Sequence, residues 1–163
     1  FCPDGFEFVK NKPRRGLAGA IQSGWDALDT EIDYVFHLED DFIFPDVVDV
    51  ELMIELLEYE PELAQIALLR QPWSPEEQQA GGIYSIGPER FKQKYGFVQQ
   101  SHLFTFNPCL YPIGVARDYR AGLEAELTAN LLADNWSFGY LGELGDDPKT
   151  IHIGIRRSRN YQL

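Results

Sequence analysis

The chain has 163 residues, 44% of them hydrophobic, and carries a formal net charge of -12. This size predicts one buried core, and we expect a single domain over residues 1–163. The negative charge, without any block rich in Lys or Arg, argues against nucleic acid as a partner because phosphate backbones are bound by basic surfaces. No apolar run is long enough to cross a membrane, so we expect no transmembrane segment.

The cysteine content and the N-terminal residues give an indication of the cellular compartment. Two cysteines, Cys2 and Cys109, make a poor disulfide framework, and no signal-peptide pattern opens the sequence. We expect a cytoplasmic protein, with a lumenal or peripheral enzyme fragment as the alternative. The chain starts at Phe1 instead of Met and runs directly into a strand-like segment over residues 6–9, which is typical of a fragment.

The first half of the sequence alternates helix and strand patterns. Residues 14–28 carry apolar side chains at spacings of three and four, which predicts an amphipathic helix. Residues 32–38 are β-branched and aromatic and predict a core strand. A second helix is predicted over residues 46–57, before Pro61, and a strand over residues 64–69.

The second half contains a long segment without a periodic pattern. Residues 71–96 are rich in Gly and Pro, which predicts turns and loop, and a loop of this length is often a functional lid. The remaining predicted elements are a strand over residues 97–106 that Asn107-Pro108 breaks, a helix over residues 116–134, and strands over residues 136–141 and 151–155.

This alternation predicts an α/β fold with a mostly parallel sheet flanked by helices. Ligands of such sheets bind at the carboxyl ends of the strands. The predicted strand over residues 32–38 ends in the triplet Glu39-Asp40-Asp41. We therefore expect the functional site at this triplet.

Three adjacent carboxylates beside apolar strand residues are electrostatically unfavourable. Without partners they repel one another and raise their own pKa values, whereas a divalent cation keeps them ionised. Their hard oxygen atoms favour Mg²⁺ or Mn²⁺, and either ion can neutralise a diphosphate. From the triplet alone, a solvated turn whose acids cap the next helix is an equally good interpretation.

Four segments in order resemble the GT-A glycosyltransferases, which transfer sugars from nucleotide-diphospho-sugars. Residues 34–42 are similar to the DxD or EDD motif, in the version of the family 2-like and N-acetylglucosaminyltransferase-like branches. The other segments are residues 15–25, residues 122–136, where Leu123-Glu124 stands in place of a Glu-Asp pair, and residues 151–158. The resemblance implies a Rossmann-like GT-A fold whose first strand and nucleotide-binding loop precede Phe1.

The resemblance also implies roles for the acids and for one histidine. It places Asp41 on the metal, Mn²⁺ or Mg²⁺, and directs Glu39 and Asp40 to the ribose and the donor sugar, with Glu39 also near the metal. His152 would add an imidazole ligand, which suits Mn²⁺ better than Mg²⁺. The alternatives are a surface turn for the triplet and a structural role for the histidine.

Sugar transfer with inversion needs a carboxylate that takes the proton of the acceptor hydroxyl. Glu124 is the candidate base, and Glu126 is the alternate. Both acids also fit the solvated first turn of a helix, where carboxylates interact favourably with the helix dipole.

Other polar and aromatic residues are weaker candidates. Arg14 and Arg15 precede a helix and could contact phosphates, although solvated charge explains them as well. Asn107 would orient a sugar hydroxyl or serve as a turn residue. Trp73 and Tyr84 would stack on a sugar or anchor the loop by burial.

Together these features predict a metal-dependent glycosyltransferase that moves a sugar from a nucleoside-diphosphate-sugar donor to a hydroxyl-bearing acceptor. Three alternatives remain at this stage. The first is a non-catalytic module that binds a sugar or nucleotide-sugar, and the second is a metal-dependent nucleotidyltransferase or phosphotransferase. The third is an interaction domain whose acids keep it soluble.

Overall fold

The computed structural model describes Val9 and residues 15–154. Its first half contains α1 (Gly16–Trp25), β1 (Tyr34–His37), β2 (Phe42–Ile43), α2 (Val50–Tyr59), β3 (Leu63–Ala67) and α3 (Pro75–Ala80). Its second half contains β4 (Phe91–Gln93), β5 (Phe97–Gln100), β6 (Cys109–Pro112), α4 (Ile113–Asp118), α5 (Glu124–Ala133), β7 (Ser137–Leu141) and β8 (Ile151–His152).

A six-stranded mixed sheet, in the order β1-β6-β3-β7-β5-β4, organises the fold, and β2 and β8 form a separate two-stranded sheet. The α/β class with flanking helices is confirmed. The prediction of a mostly parallel sheet is wrong, because β3 and β7 are the only parallel neighbours among the described strands. The other pairs, β1 with β6, β6 with β3, β7 with β5 and β5 with β4, are antiparallel. Such a sheet is compatible with a Rossmann-like fold without being specific to GT-A.

The strand directions decide where a ligand site can form. Both β1 and β3 are antiparallel to β6, so they run in the same direction as each other and as β7. Their carboxyl ends therefore lie at one edge of the sheet, together with the segment that enters β6. This edge is the position at which sheets of this kind bind ligands.

Helices cover both faces of the sheet. On one face, α2 buries Met53, Leu56 and Leu57 against β3 and β6. Asp49 caps this helix by accepting a hydrogen bond from the Leu52 N–H at 2.9 Å, which is why the helix begins four residues later than predicted. On the other face, α1 and α5 pack on the sheet, and Trp25 donates a buried hydrogen bond to the Tyr111 hydroxyl at 2.8 Å.

Several predicted elements are corrected by the structure. The predicted loop over residues 71–96 contains α3 and β4, and the predicted strand over residues 97–106 ends at Gln100. The predicted helix over residues 116–134 is two helices, since Tyr119 and Leu123 both have extended backbone. The strand β6 was not predicted, because it is short and almost entirely buried and therefore lacks alternation.

Two further observations complete the comparison with the sequence. Within residues 15–154, no helix is both long enough and apolar enough to cross a membrane. The predicted strand end over residues 6–9 and the segment at residues 155–158 lie outside the described residues, apart from Val9, as does Arg14.

Candidate active site

A cleft of about 640 Å³ opens at the carboxyl ends of β1 and β3. The lining residues come from α1, the triplet and Phe42, the segment after β3, α3 and Ile83, the segment before β6, the start of α5, β7 and β8. The polar and charged lining residues are Glu39, Asp41, Arg70, Ser74, Glu77, Thr105, Asn107, Glu124, Tyr140 and His152. A cavity of this size accommodates a cofactor-sized or substrate-sized molecule.

Three carboxylates, those of Glu39, Asp41 and Glu124, line this cleft although they come from two distant segments. Burial raises the pKa of Glu39 to about 7, and the negative charges of Asp41, Glu124 and Asp40 add to the increase. The acids at the end of β1 and at the start of α5 therefore both act on the pKa of Glu39. Bringing them together in this way is unfavourable unless positive charge is supplied.

Asp41 has one paired and one unpaired carboxylate oxygen. Its Oδ2 atom lies 3.0 Å from Nε2 of His152. Its Oδ1 atom is buried and has no hydrogen-bond partner among the described residues. A Cβ atom added at Gly154 would collide with Oδ2 of Asp41 and lie 2.7 Å from Nε2 of His152, so any larger residue at this position would displace these two side chains. An unsatisfied buried carboxylate oxygen is costly and therefore points to a missing partner.

The imidazole of His152 is held from three directions. Its ring centroid lies 4.1 Å from that of Trp73 and 4.8 Å from that of Phe42. The backbone of His152 is paired with the side-chain amide of Gln71, through two hydrogen bonds of 2.8 Å. Asp41 meets the ring at Nε2, so the position of this atom is closely defined.

Glu124 is the first residue of α5 and is oriented by the segment before β6. Its Oε1 atom accepts hydrogen bonds from the Phe106 N–H at 2.7 Å and from the Thr105 hydroxyl at 3.1 Å. Its Oε2 atom has no hydrogen-bond partner in the described part of the chain. The side chain is thus anchored through one oxygen while the other remains able to accept a proton.

A fourth carboxylate lining the cleft, that of Glu77, has abundant partners. It forms a bidentate salt bridge with Arg70, with N–O distances of 2.8 and 3.0 Å. It also accepts hydrogen bonds from the N–H groups of Trp73 and Ser74 at 2.6 and 3.1 Å. Burial by itself would raise the pKa of Glu77, but these four donors outweigh it and lower the pKa.

This ion pair leaves the remaining acids of the cleft without a basic partner. Arg70 is the sole Lys or Arg among the described residues that line the cleft, and both of its terminal nitrogens contact Glu77. Within residues 15–154, no Lys or Arg pairs with Glu39, Asp41 or Glu124. An anionic ligand entering this cleft would therefore meet uncompensated negative charge.

Of the polar and charged candidate residues within residues 15–154, the structure brings together five and separates three. The five that line the cleft are Glu39, Asp41, Asn107, Glu124 and His152. Asp40, Glu126 and Arg15 are exposed and do not line it. Of the two aromatic candidates, Trp73 lines the cleft, whereas Tyr84 packs against Phe91 and Tyr140 as an anchor.

Metal binding has no complete set of protein ligands here. Among residues 15–154, no three His, Cys, Asp or Glu side chains are grouped so that they could hold a metal ion. The pair formed by Asp41 and His152, with a buried oxygen still unpaired, nevertheless offers the donor types that Mn²⁺ accepts.

Sequence reasoning missed the residues that support the site. Gln71 and Glu77 lie in the segment predicted as loop, Arg70 falls between that loop and the predicted strand over residues 64–69, and Thr105 lies in a segment predicted as strand. One local signal was present, because Ser74 followed by Glu77 is the pattern of a helix capping box, which the structure contains. The pairing of Gln71 with His152 has no local signal, since 81 residues separate them.

Comparisons of the chain with protein-family models, with curated proteins and with solved structures give no match. The function must therefore be inferred from the side chains of the cleft, because a fold alone does not imply an activity.

Proposed function

We propose that this chain is a metal-dependent glycosyltransferase that uses a nucleoside-diphosphate-sugar donor and a hydroxyl-bearing acceptor, with inversion at the anomeric carbon. The observation that carries the proposal is the convergence of Glu39, Asp41, His152 and Glu124 in one cleft at the carboxyl ends of β1 and β3. The resemblance of residues 34–42 to the EDD motif points to the same place.

Asp41 and His152 are the residues that would hold Mn²⁺ or Mg²⁺. A two-residue protein site fits these ions, because they are commonly bound by one or two carboxylates together with substrate phosphates and water. The buried and unpaired Oδ1 atom of Asp41 supports this assignment, since a cation would satisfy it. The ion supplies positive charge for the diphosphate, both in the bound donor and as it leaves.

Glu39 would act beside these ligands. Its carboxyl is half-buried, and its pKa of about 7 reflects burial and the neighbouring charges of Asp41, Glu124 and Asp40. A carboxyl in this position can accept hydrogen bonds from the hydroxyls of a ribose or a sugar. Asn107, which also lines the cleft, can donate to a sugar hydroxyl through its side-chain amide.

Glu124 is the proposed general base. Its free oxygen would take the proton of the acceptor hydroxyl as the acceptor oxygen bonds to the anomeric carbon. The bond from that carbon to the phosphate oxygen breaks, and the nucleoside diphosphate leaves with the electron pair. The hydrogen bonds from Phe106 and Thr105 to Oε1 fix the carboxylate while this occurs.

A ligand and product screen tests the proposal. Thermal unfolding of the chain is measured with a panel of nucleotide-sugars, with Mn²⁺ and with EDTA, and the released products are then identified. We expect stabilisation by a nucleotide-sugar only with Mn²⁺, followed by release of nucleoside diphosphate.

Three other outcomes would contradict the proposal, each in a recognisable way. Stabilisation without any turnover would indicate a binding module. Release of pyrophosphate or transfer of phosphate would indicate a nucleotidyltransferase or phosphotransferase. Absence of both Mn²⁺ binding and nucleotide-sugar binding would leave the acids as a solubilising surface.

A further inference from the structure

The side chain of Gln71 takes the place of a neighbouring strand beside His152. Its Oε1 atom accepts a hydrogen bond from the His152 N–H, and its Nε2 atom donates to the His152 carbonyl, both at 2.8 Å. On the other side of this short strand, the Ile153 N–H donates to the Asp41 carbonyl at 2.8 Å. Both edges of the strand that carries His152 are therefore paired, although β8 has only two residues.

A second glutamine uses the same arrangement on the opposite side of the site. Gln65 is fully buried in β3, accepts from the Thr105 N–H at 2.8 Å and donates to the Thr105 carbonyl at 2.9 Å. Thr105 in turn donates to Glu124. The chain around β3 thus holds, through two side-chain amides, the segments that position the proposed base and the proposed metal ligand.

The segment that carries Gln71 is itself held in place. Arg70 and Glu77, which lie on either side of Gln71 in the sequence, form their bidentate salt bridge, and Glu77 also accepts a hydrogen bond from the Trp73 N–H. Trp73 then contacts the ring of His152 with a centroid distance of 4.1 Å and an interplanar angle of 64°. Gln71 therefore fixes the backbone of His152 from the same rigid segment that fixes its ring.

We infer that Gln71 is a positioning residue for metal binding: it sets the position of the His152 imidazole beside Asp41. The inference rests on the proposed function, because it assigns His152 to the metal. Without the amide, the His152 N–H and carbonyl lose their partners in a half-buried position, and the end of the strand gains freedom. Removing a group that orients a metal ligand in this way typically weakens metal binding by about 10- to 100-fold.

The test is a double-mutant cycle with Mn²⁺ alone as the probe. Mn²⁺ affinity is measured by electron paramagnetic resonance for the full chain and for Gln71→Met, His152→Ala and the double variant. Gln71→Met has a side chain of similar length that can form neither hydrogen bond. Gln78→Met is the matched control, because Gln78 bonds the Trp73 carbonyl at 3.3 Å on the exposed side of the same segment and makes no hydrogen bond to His152.

We expect Gln71→Met to weaken Mn²⁺ binding about 10-fold and to have no further effect when His152 is already alanine. The nitrogen coupling of a Mn²⁺-bound imidazole should be present in the parent chain, lost in His152→Ala and reduced in Gln71→Met. Gln78→Met should bind Mn²⁺ as the parent chain does.

Two results would overturn the inference, and they are distinguishable. If His152→Ala weakens Mn²⁺ binding while Gln71→Met does not, the metal site stands and the positioning role fails. If the parent chain shows no saturable Mn²⁺ binding, the proposed function fails with it. Thermal unfolding checks that each variant is folded, and Gln71→Asn, whose amide is one methylene too short to bridge His152, replaces Gln71→Met if that variant does not fold.

Discussion

Two groups of carboxylates line the same cleft, and they differ in their partners. Glu77 is buried, yet its pKa is lowered because Arg70 and two backbone N–H groups surround it. Glu39 is half-buried beside two further acids without a basic partner in the described chain, and its pKa is raised to about 7. Burial acts in the same direction on both, so the neighbours account for the difference.

Glu77 is thus satisfied by its own chain, whereas Glu39, Asp41 and Glu124 have no Lys or Arg partner among the described residues. A carboxylate that receives four hydrogen bonds from its own chain has little capacity left for a ligand. Carboxylates that share a cleft without donors gain most from a cation or a substrate proton.

The largest effect is expected for the proposed base. Glu124→Gln keeps the shape of the side chain and can still accept hydrogen bonds from Phe106 and Thr105, but an amide cannot act as a general base. We expect turnover to fall about 100- to 10,000-fold with little change in donor binding. Steady-state kinetics with the donor found in the screen would measure the turnover rate and the KM for the donor.

Glu126→Gln is the matched control for Glu124→Gln. It makes the same substitution in the same helical turn, but Glu126 is exposed and does not line the cleft. Its turnover should equal that of the parent chain. Equal losses in both variants would count against Glu124 as the base.

The next largest effect is expected at Asp41. Asp41→Ala removes the carboxylate that pairs with His152, and we expect Mn²⁺-dependent donor binding to fall by at least about 100-fold. Calorimetric titration with Mn²⁺ present would measure the loss. Asp40→Ala removes the neighbouring acid, which is exposed and outside the cleft lining, and it should retain donor binding within a few-fold of the parent chain. Undiminished binding by Asp41→Ala would rule out the proposed ligand.

The smallest effect concerns stability at the paired group. Glu77→Gln should lower the free energy of unfolding by about 2 kcal/mol at neutral pH, the scale for hydrogen bonds to a charged group. The pKa of Glu77 is lowered on folding from its ordinary value of 4.5, so its stabilisation is present above pH 4.5 and is lost as the pH falls through the lower folded value. Denaturant unfolding of the parent chain and of Glu77→Gln would measure this. The difference between their free energies of unfolding should shrink as the pH falls through this range.

Glu76→Gln provides the control for this pH dependence. Glu76 lies in the same first turn of α3 but is exposed, so the substitution should change stability by less than about 0.5 kcal/mol. If the difference in free energy of unfolding between the parent chain and Glu77→Gln stays constant with pH, the charge of Glu77 does not contribute to stability.

Much of the fold could be predicted from local patterns. The apolar stripe of α1 and the β-branched run of β1 appear where periodicity placed them, as do β3 and β7. The patterns failed where burial removes alternation or where a turn interrupts a helical stripe. Leu127 and Leu131 are buried in α5, whereas Leu123, which has the same spacing, precedes the helix and is 69% exposed.

For the candidate site, the sequence by itself determined which chemical groups are present and that an acidic triplet follows a core strand. Residue types and local order decide this, because the apolar run that predicts β1 stops at Leu38 and three acids follow it directly. Only the tertiary structure decided which acids share a cleft, that Asp41 meets His152 across 111 residues, and that Glu77 is neutralised by Arg70. These contacts depend on the order and direction of the strands, and the antiparallel insertion of β6 between β1 and β3 arises from pairing between distant segments.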